Sequence, residues 1–185
     1  MKLPDRILLE KSILPALAAD PRLPRVLLAG CDRRSAGYHR IFSGKACWTL
    51  DRLGPRAAFG GPRHFVGELR ELGKFLPKGG LDLIVLNGLL GFGLDDPREA
   101  EAAYEACWAG LRRGGILLLG WNRVPEFRSV FPSRRGILGR FRRFDFKAAG
   151  GARRSLNYLF WRKSRSGPPL RARRWNHTFD FFQKP

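Results

Sequence analysis

Residues 25–51 read RVLLAGCDRRSAGYHRIFSGKACWTLD, and the punctuation of this stretch decides the fold. The apolar run Val26–Ala29 stops at Gly30. A polar turn leads to a helix expected around Tyr38–Phe42, and a second apolar run, Ala46–Leu50, ends on Asp51. Strand, glycine turn, helix, strand and acid is the order of the opening βαβ unit of a nucleoside-binding α/β domain. In such a unit the acid about 20 residues past the glycine holds a ribose by its two hydroxyls.

The alternation continues outward. Arg63–Gly67 is a weak strand with Glu68 at its end, and a short helix is expected through Leu69–Leu76 before Pro77-Lys78-Gly79-Gly80 breaks it. Leu81–Leu86 is apolar except for Asp82, as a strand buried on both faces should be, and it ends at Asn87-Gly88. Asp96 is an N-cap with Pro97 and Glu99 after it, and apolar residues at helical spacing predict a helix over 97–112. Ile116–Leu119 is the next buried strand, closing on Gly120-Trp121-Asn122. Strands alternating with helices imply a parallel sheet. Strands are thus expected near 26–29, 46–50, 63–67, 83–87 and 116–120. Two more, near 156–162 and 177–183, have no helix between them and read as an antiparallel pair, joined by a Pro- and Arg-rich linker, 164–174. Upstream, residues 5–19 form an amphipathic helix with Ile7, Leu8, Ile13, Leu14 and Leu17 on one face, kinked or split at Pro15 and covering a sheet edge.

A length of 185 residues fits one domain over 1–185: an N-terminal helix in 1–24, a βα core in 25–122 and a basic part in 123–185. Cys31, Cys47 and Cys107 are odd in number and form no CxxC pair, which argues against a zinc site or disulfide framework and for buried thiols in a reducing cytoplasm. No metal site is expected. Asp5, Glu10 and Lys11 interrupt what would otherwise resemble a signal peptide, and no apolar run is long enough to cross a membrane, so a cytoplasmic location is expected. The net charge of +19 is uneven. Residues 1–120 hold 18 Lys/Arg and 13 Asp/Glu, whereas residues 121–185 hold 17 and 3. The basic last third, with FRRFDF and RARRWNHTFDFF, is either a polyanion-binding surface for RNA, acidic glycan or anionic lipid, or an Arg-rich solvated face over apolar strands.

Over roughly 25–125, and more loosely in the last two strands, this order of features resembles the class I S-adenosylmethionine-dependent methyltransferases. The likeness is greatest to small bacterial methyltransferase-domain proteins, through Asn87–Asp95, Leu119–Asn122 and His177–Phe182. The resemblance implies a Rossmann-like, mostly parallel seven-stranded sheet, with strand seven antiparallel between five and six and helices on both faces. It implies S-adenosylmethionine lying over Gly30, beside Cys31 and Asp32, its ribose on Asp51, its adenine near Glu68 and its methionine end bordered by Asn87 and Gly88. The family's acid-x-Gly-x-Gly-x-Gly loop is degenerate here: Leu28 stands at the acidic position, and Asp32 and Arg34 replace two glycines. That departure sets a methyltransferase acting on a small molecule or glycan beside a non-catalytic scaffold on the same fold. An RNA-directed methyltransferase using the basic tail is a third reading. A dinucleotide enzyme is disfavoured, because Asp32 would set negative charge beside the pyrophosphate.

Methyl transfer from a sulfonium depends chiefly on in-line placement of the nucleophile. His39, Asp95 and His64 are candidate bases, with none assigned. Tyr38, His39, Trp121 and Asn122 are candidate substrate contacts, although His39 could be a partly exposed helix residue and Trp121 could pack under a loop. Asp51→Ala is expected to weaken cofactor binding and to leave fold stability little changed, as for an acid at a strand mouth.

Overall fold

The structure, a computed structural model, describes residues 3–146, 153–162 and 171–185; for 153–154, 156–162 and 171–175 it describes the backbone alone. One sheet runs through the chain. Strands β1 (Arg25–Ala29), β2 (Ala46–Asp51), β3 (His64–Val66), β4 (Leu81–Asn87) and β5 (Leu111–Asn122) are mutually parallel, and β8 (Arg171–Gln183) lies antiparallel against β5. The order is β3-β2-β1-β4-β5-β8-β6, with β6 (Arg142–Arg143) and β7 (Arg153–Arg162) both antiparallel to β8. Strand β6, two residues, and β7, ten, share the outer edge of β8, the place of a single strand in the expected seven-stranded order, so the sheet has seven strand positions filled by eight segments. The linker end Arg171–Arg174 also proves to be strand, specified by hairpin pairing and not by an apolar pattern. Residues 147–152 and 163–170, which hold the rest of that linker, lie outside the described residues.

The alternation of side chains divides the core into two layers. Leu27, Ile84, Leu86, Leu117, Leu119 and Phe182 face α4 (Pro97–Gly110). Val26, Leu28, Val85, Leu118, Phe179 and Phe181 face the N-terminal helix. Each layer is covered because a parallel sheet buries both faces. Helix α4 starts where its cap predicts: Asp96 Oδ1 accepts the backbone N–H groups of Arg98 (2.8 Å) and Glu99 (3.1 Å). It stops at Gly110, earlier than expected, because Leu111 already pairs with Leu81. Leu69–Lys74 is a 3₁₀ segment, too short for a full helix before Pro77.

The N-terminal helix is built of α1 (Pro4–Leu8), a π turn (Leu9–Ile13) and α2 (Leu14–Ala19), and the helix expected after the glycine turn is the single turn α3 (Tyr38–Ile41). The widened turn lets the helix continue through Pro15, whose ring would otherwise meet the carbonyl four residues earlier. It also advances the buried stripe, so that Leu9, Ile13, Leu14 and Leu17 are fully buried while Ile7 is exposed. The N-terminal helix covers a face of the sheet, not an edge, because its apolar stripe meets the inward side chains of β1, β4 and β8. Among the described residues no helix is long and apolar enough to cross a membrane.

Beyond β5 the hairpin continues alone. His177 pairs with the last residue of β5, Asn122, so residues 171–176 run past the carboxyl edge of the sheet. Six residues of strand span about 20 Å. Helix α1 lies against β7 at this end.

Candidate functional site at the carboxyl edge of the sheet

In an open α/β sheet, ligands bind where neighbouring strands diverge to opposite sides at their carboxyl ends. Here that point lies between β1, β2 and β4. A cleft opens there in two lobes that share Ala29, Gly30, Arg56, Leu89 and Phe92. The larger, about 180 Å³, reaches Asn87, Gly88, Asn122 and His177. The smaller, about 50 Å³, holds Asp51 and Glu68.

Gly30 has φ 85°, a left-handed conformation suited to glycine, and the space of its missing Cβ is taken by Leu89, whose Cδ2 would lie 2.6 Å away. Leu89 therefore forms the partition between the lobes. Asp51 is buried at the end of β2, 5 % exposed. Its Oδ2 accepts the backbone N–H of Cys31 at 2.7 Å and its Oδ1 that of Leu53 at 2.9 Å. Arg56 approaches Oδ2 at 3.5 Å. The acid therefore ties the glycine turn to the end of β2, which argues against the expectation that removing it changes stability little. Each carboxylate oxygen has two lone-pair sites, so both retain capacity toward the cleft.

Asp32 has a different task. Its Oδ1 accepts the backbone N–H groups of Arg34 (2.8 Å) and Ser35 (2.9 Å), while Ser35 Oγ accepts the Asp32 N–H at 2.9 Å. The N–H groups that a glycine-rich turn would offer to phosphate are already held by a carboxylate. This disfavours a pyrophosphate ligand more directly than charge alone. Burial pushes the Cys31 thiol up to about 11, so Cys31 is an inert wall residue.

Of the remaining sequence-derived candidates, Tyr38, His39, Asn87, Gly88 and Asn122 line the larger lobe and Glu68 the smaller. Trp121 lines neither. It is buried in the α4-side core, where its indole N–H donates to Asp180 Oδ2 at 2.8 Å and its ring packs on Phe131. Asp95 is exposed, and His64 Nδ1 lies 2.9 Å from Thr49 Oγ1 on β2; neither borders the cleft. Of the tail rings whose side chains are described, Phe141, Phe146, Phe179, Phe181 and Phe182 are buried and offer no stacking face, and Phe144 is half-buried. Among the described residues no cluster of His, Cys, Asp and Glu could hold a metal ion.

The site also holds residues that the sequence did not single out. The Arg6 guanidinium donates to Tyr38 Oη at 2.9 Å, and Tyr38 donates to Glu10 Oε1 at 3.2 Å. Burial pushes the Tyr38 phenol up to about 12, so it stays neutral. His177, 3 % exposed, stands between two amides: Nδ1 is 2.6 Å from Asn122 Oδ1 and Nε2 is 3.2 Å from Asn87 Oδ1. Asp5 Oδ2 lies 3.9 Å from Nδ1. Gly120 makes this possible, because its missing Cβ would sit 2.0 Å from Asn87 Oδ1. The legible signal was strand periodicity. His177 shares a face with Phe179 and Phe181, and a polar group at the head of an apolar face needs a partner.

No protein-family model matches the sequence, and no curated protein does. Solved structures do match. An S-adenosylmethionine-dependent methyltransferase from Archaeoglobus fulgidus aligns with a TM-score of 0.61 at 13 % identity, over 97 % of this chain and 93 % of that one. The N-methyltransferase NodS from Bradyrhizobium japonicum, in complex with S-adenosylhomocysteine, aligns at 0.58 and 14 % identity, over 95 % and 85 %. An S-adenosylmethionine-dependent methyltransferase from Methanosarcina mazei aligns at 0.55 and 12 % identity, over 89 % and 94 %. With the strand order and the antiparallel β8, these likenesses establish that the chain has the fold of the class I S-adenosylmethionine-dependent methyltransferases.

Proposed function

We propose that this protein is an S-adenosylmethionine-dependent methyltransferase acting on a small acceptor that enters through the larger lobe. The observation that carries the reading is the two-lobed cleft over Gly30, with Asp51 in one lobe and Asn87-Gly88 in the other. The residue chemistry fits the cofactor. A carboxylate suits a vicinal diol, a bare glycine suits close approach of a nucleoside, and a turn closed by Asp32 suits a ligand without phosphate. When bound, the cofactor supplies an electrophilic methyl group on a sulfonium. Asp51 would hold the ribose, Glu68 would border the adenine, Asn87 and Gly88 would border the transfer position, and the nucleoside would take the space over Gly30 that the Leu89 side chain now fills.

A thermal-shift comparison tests this. A ligand held with a Kd of about 10 μM stabilises the fold by about 2.7 kcal/mol at a hundredfold excess. For a domain of this size that raises Tm by roughly 5–10 °C. S-adenosylhomocysteine at about 1 mM should give such a shift and NAD none; the reverse pattern would refute the reading.

A second reading, in which the acceptor is polyanionic, is supported by the hairpin register. The backbone of Arg171–Asn176 extends past the carboxyl edge on which the cleft opens, bringing basic sequence to that end. Reversing the charge of Arg171, Arg173 and Arg174 should then weaken RNA binding and lower its salt dependence. Filter binding with no preference for any RNA over heparin would refute an RNA acceptor.

A further inference from the structure

We propose that His177 accepts the proton of a hydroxyl-bearing methyl acceptor, of the acidic phenol or enol type, at the inner end of the larger lobe. The proposal rests on the methyltransferase reading above. It starts from the four groups around the ring. Asn122 Oδ1 faces Nδ1, Asn87 Oδ1 faces Nε2, Asp5 stands 3.9 Å from Nδ1, and Phe179 packs edge-on at a centroid distance of 4.6 Å. Arg6, on the same helix as Asp5, borders the same lobe.

Two amide oxygens against two ring nitrogens suit an imidazolium, which donates from both. The resting ring is neutral, because burial lowers its pKa to about 4, with Asp5 opposing and Arg6 reinforcing that shift. A neutral ring has one proton. The short contact puts it on Nδ1, donated to Asn122, and leaves a lone pair on Nε2 facing a second oxygen. That lone pair accepts either an N–H of the Asn87 amide, turned over, or the hydroxyl of an acceptor that enters the lobe beside Asn87.

The step balances without a co-reactant beyond the cofactor. The acceptor oxygen forms its bond to the methyl carbon as the carbon–sulfur bond of the sulfonium breaks, leaving a neutral thioether. The hydroxyl proton passes to Nε2. The imidazolium donates to Asn87 and Asn122 beside the Asp5 carboxylate, then loses its proton to solvent. Arg6 faces the charge that develops on oxygen. A neutral amine would need no base before attack, so the cage would serve it no purpose.

The test uses the full-length protein with phenol and aniline as matched probes. Calorimetry with S-adenosylhomocysteine comes first; no binding defeats the methyltransferase reading and this proposal with it. In protein that binds, adding phenol should shift the His177 Nε2 resonance in ¹⁵N spectra. Labelled methyl from S-adenosylmethionine should reach phenol in preference to aniline. His177→Gln keeps a polar side chain but accepts no proton. It should bind S-adenosylhomocysteine within about twofold of wild type, lose at least ~100-fold in transfer to phenol near neutral pH, and regain rate as pH rises toward the phenol's own ionisation, a dependence that wild type, whose ring is already neutral, should lack. Binding without a phenol-induced shift or without transfer to phenol, or undiminished transfer in His177→Gln, overturns the proposal and leaves the cofactor reading standing.

Discussion

Replacing Asp51 by alanine should destabilise the fold as well as the site. The carboxylate accepts two backbone N–H groups, from Cys31 on the glycine turn and from Leu53 beyond β2. A hydrogen bond to a charged group contributes about 1.5–3 kcal/mol where water cannot replace it. The cleft beside Asp51 admits water, so about 1–1.5 kcal/mol for each bond is the appropriate scale, or about 2–3 kcal/mol in all. At about 2–4 °C per kcal/mol for a domain of this size, Tm should fall by roughly 4–12 °C. Asp51→Asn keeps one acceptor oxygen and turns an NH₂ toward the other donor, so it should fall between wild type and alanine. Thermal denaturation followed by circular dichroism reads this without any ligand. An Asp51→Ala protein melting within about 1 °C of wild type would refute the tethering role and restore the view of a strand-end acid with no structural duty.

Two further perturbations separate stability from function. Asp82 is buried at the opposite end of the sheet. Burial opposes its ionisation, but side-chain bonds from Arg25 and Arg112 and the Arg25 backbone N–H outweigh that and hold its carboxyl below the usual range. Its contribution is therefore present above the ordinary carboxyl pKa and lost as pH falls through the lowered one. Asp82→Asn should cost about 2–3 kcal/mol at pH 7, since the arginines are partly exposed. Denaturant titrations should show the gap from wild type closing in acid, with S-adenosylhomocysteine affinity unchanged. Gly120→Ala would drive the Asn87 amide off His177, so it should cost about 1–3 kcal/mol and shift the His177 ring resonances; unchanged ring resonances would count against the cage.

The sheet was largely legible because its strands are continuously apolar and end on Gly30, Asp51, Asn87 and Asn122. Its outer edge was less so. Strand β6 is two exposed arginines held by pairing with β8, and a burial pattern cannot identify a strand that is not buried; the strand read at 156–162 is present as β7 but begins earlier, at Arg153, where only the pairing with β8 specifies it. The buried stripe of the N-terminal helix was displaced by the π turn, which no periodicity of 3.6 anticipates. In the site, Gly30 and Asp51 could be named from chain order alone. Asp5, Arg6 and His177 could not, since they come together from the two ends of the chain and only the β5–β8 register puts His177 opposite Asn122. Trp121 shows the opposite error: adjacency to a strand end suggested the cleft, but alternation carries it to the other face, onto Asp180.

The most direct measurement is isothermal titration of S-adenosylhomocysteine into the wild-type protein and into Asp51→Asn at a temperature where both are folded. The proposed function predicts saturable one-site binding to wild type, weakened at least about tenfold in Asp51→Asn, equivalent to about 1.4 kcal/mol. No heat with wild type at millimolar ligand would mean that the turn closed by Asp32 and the Leu89 partition exclude the cofactor. The chain would then be a binding protein built on a methyltransferase fold.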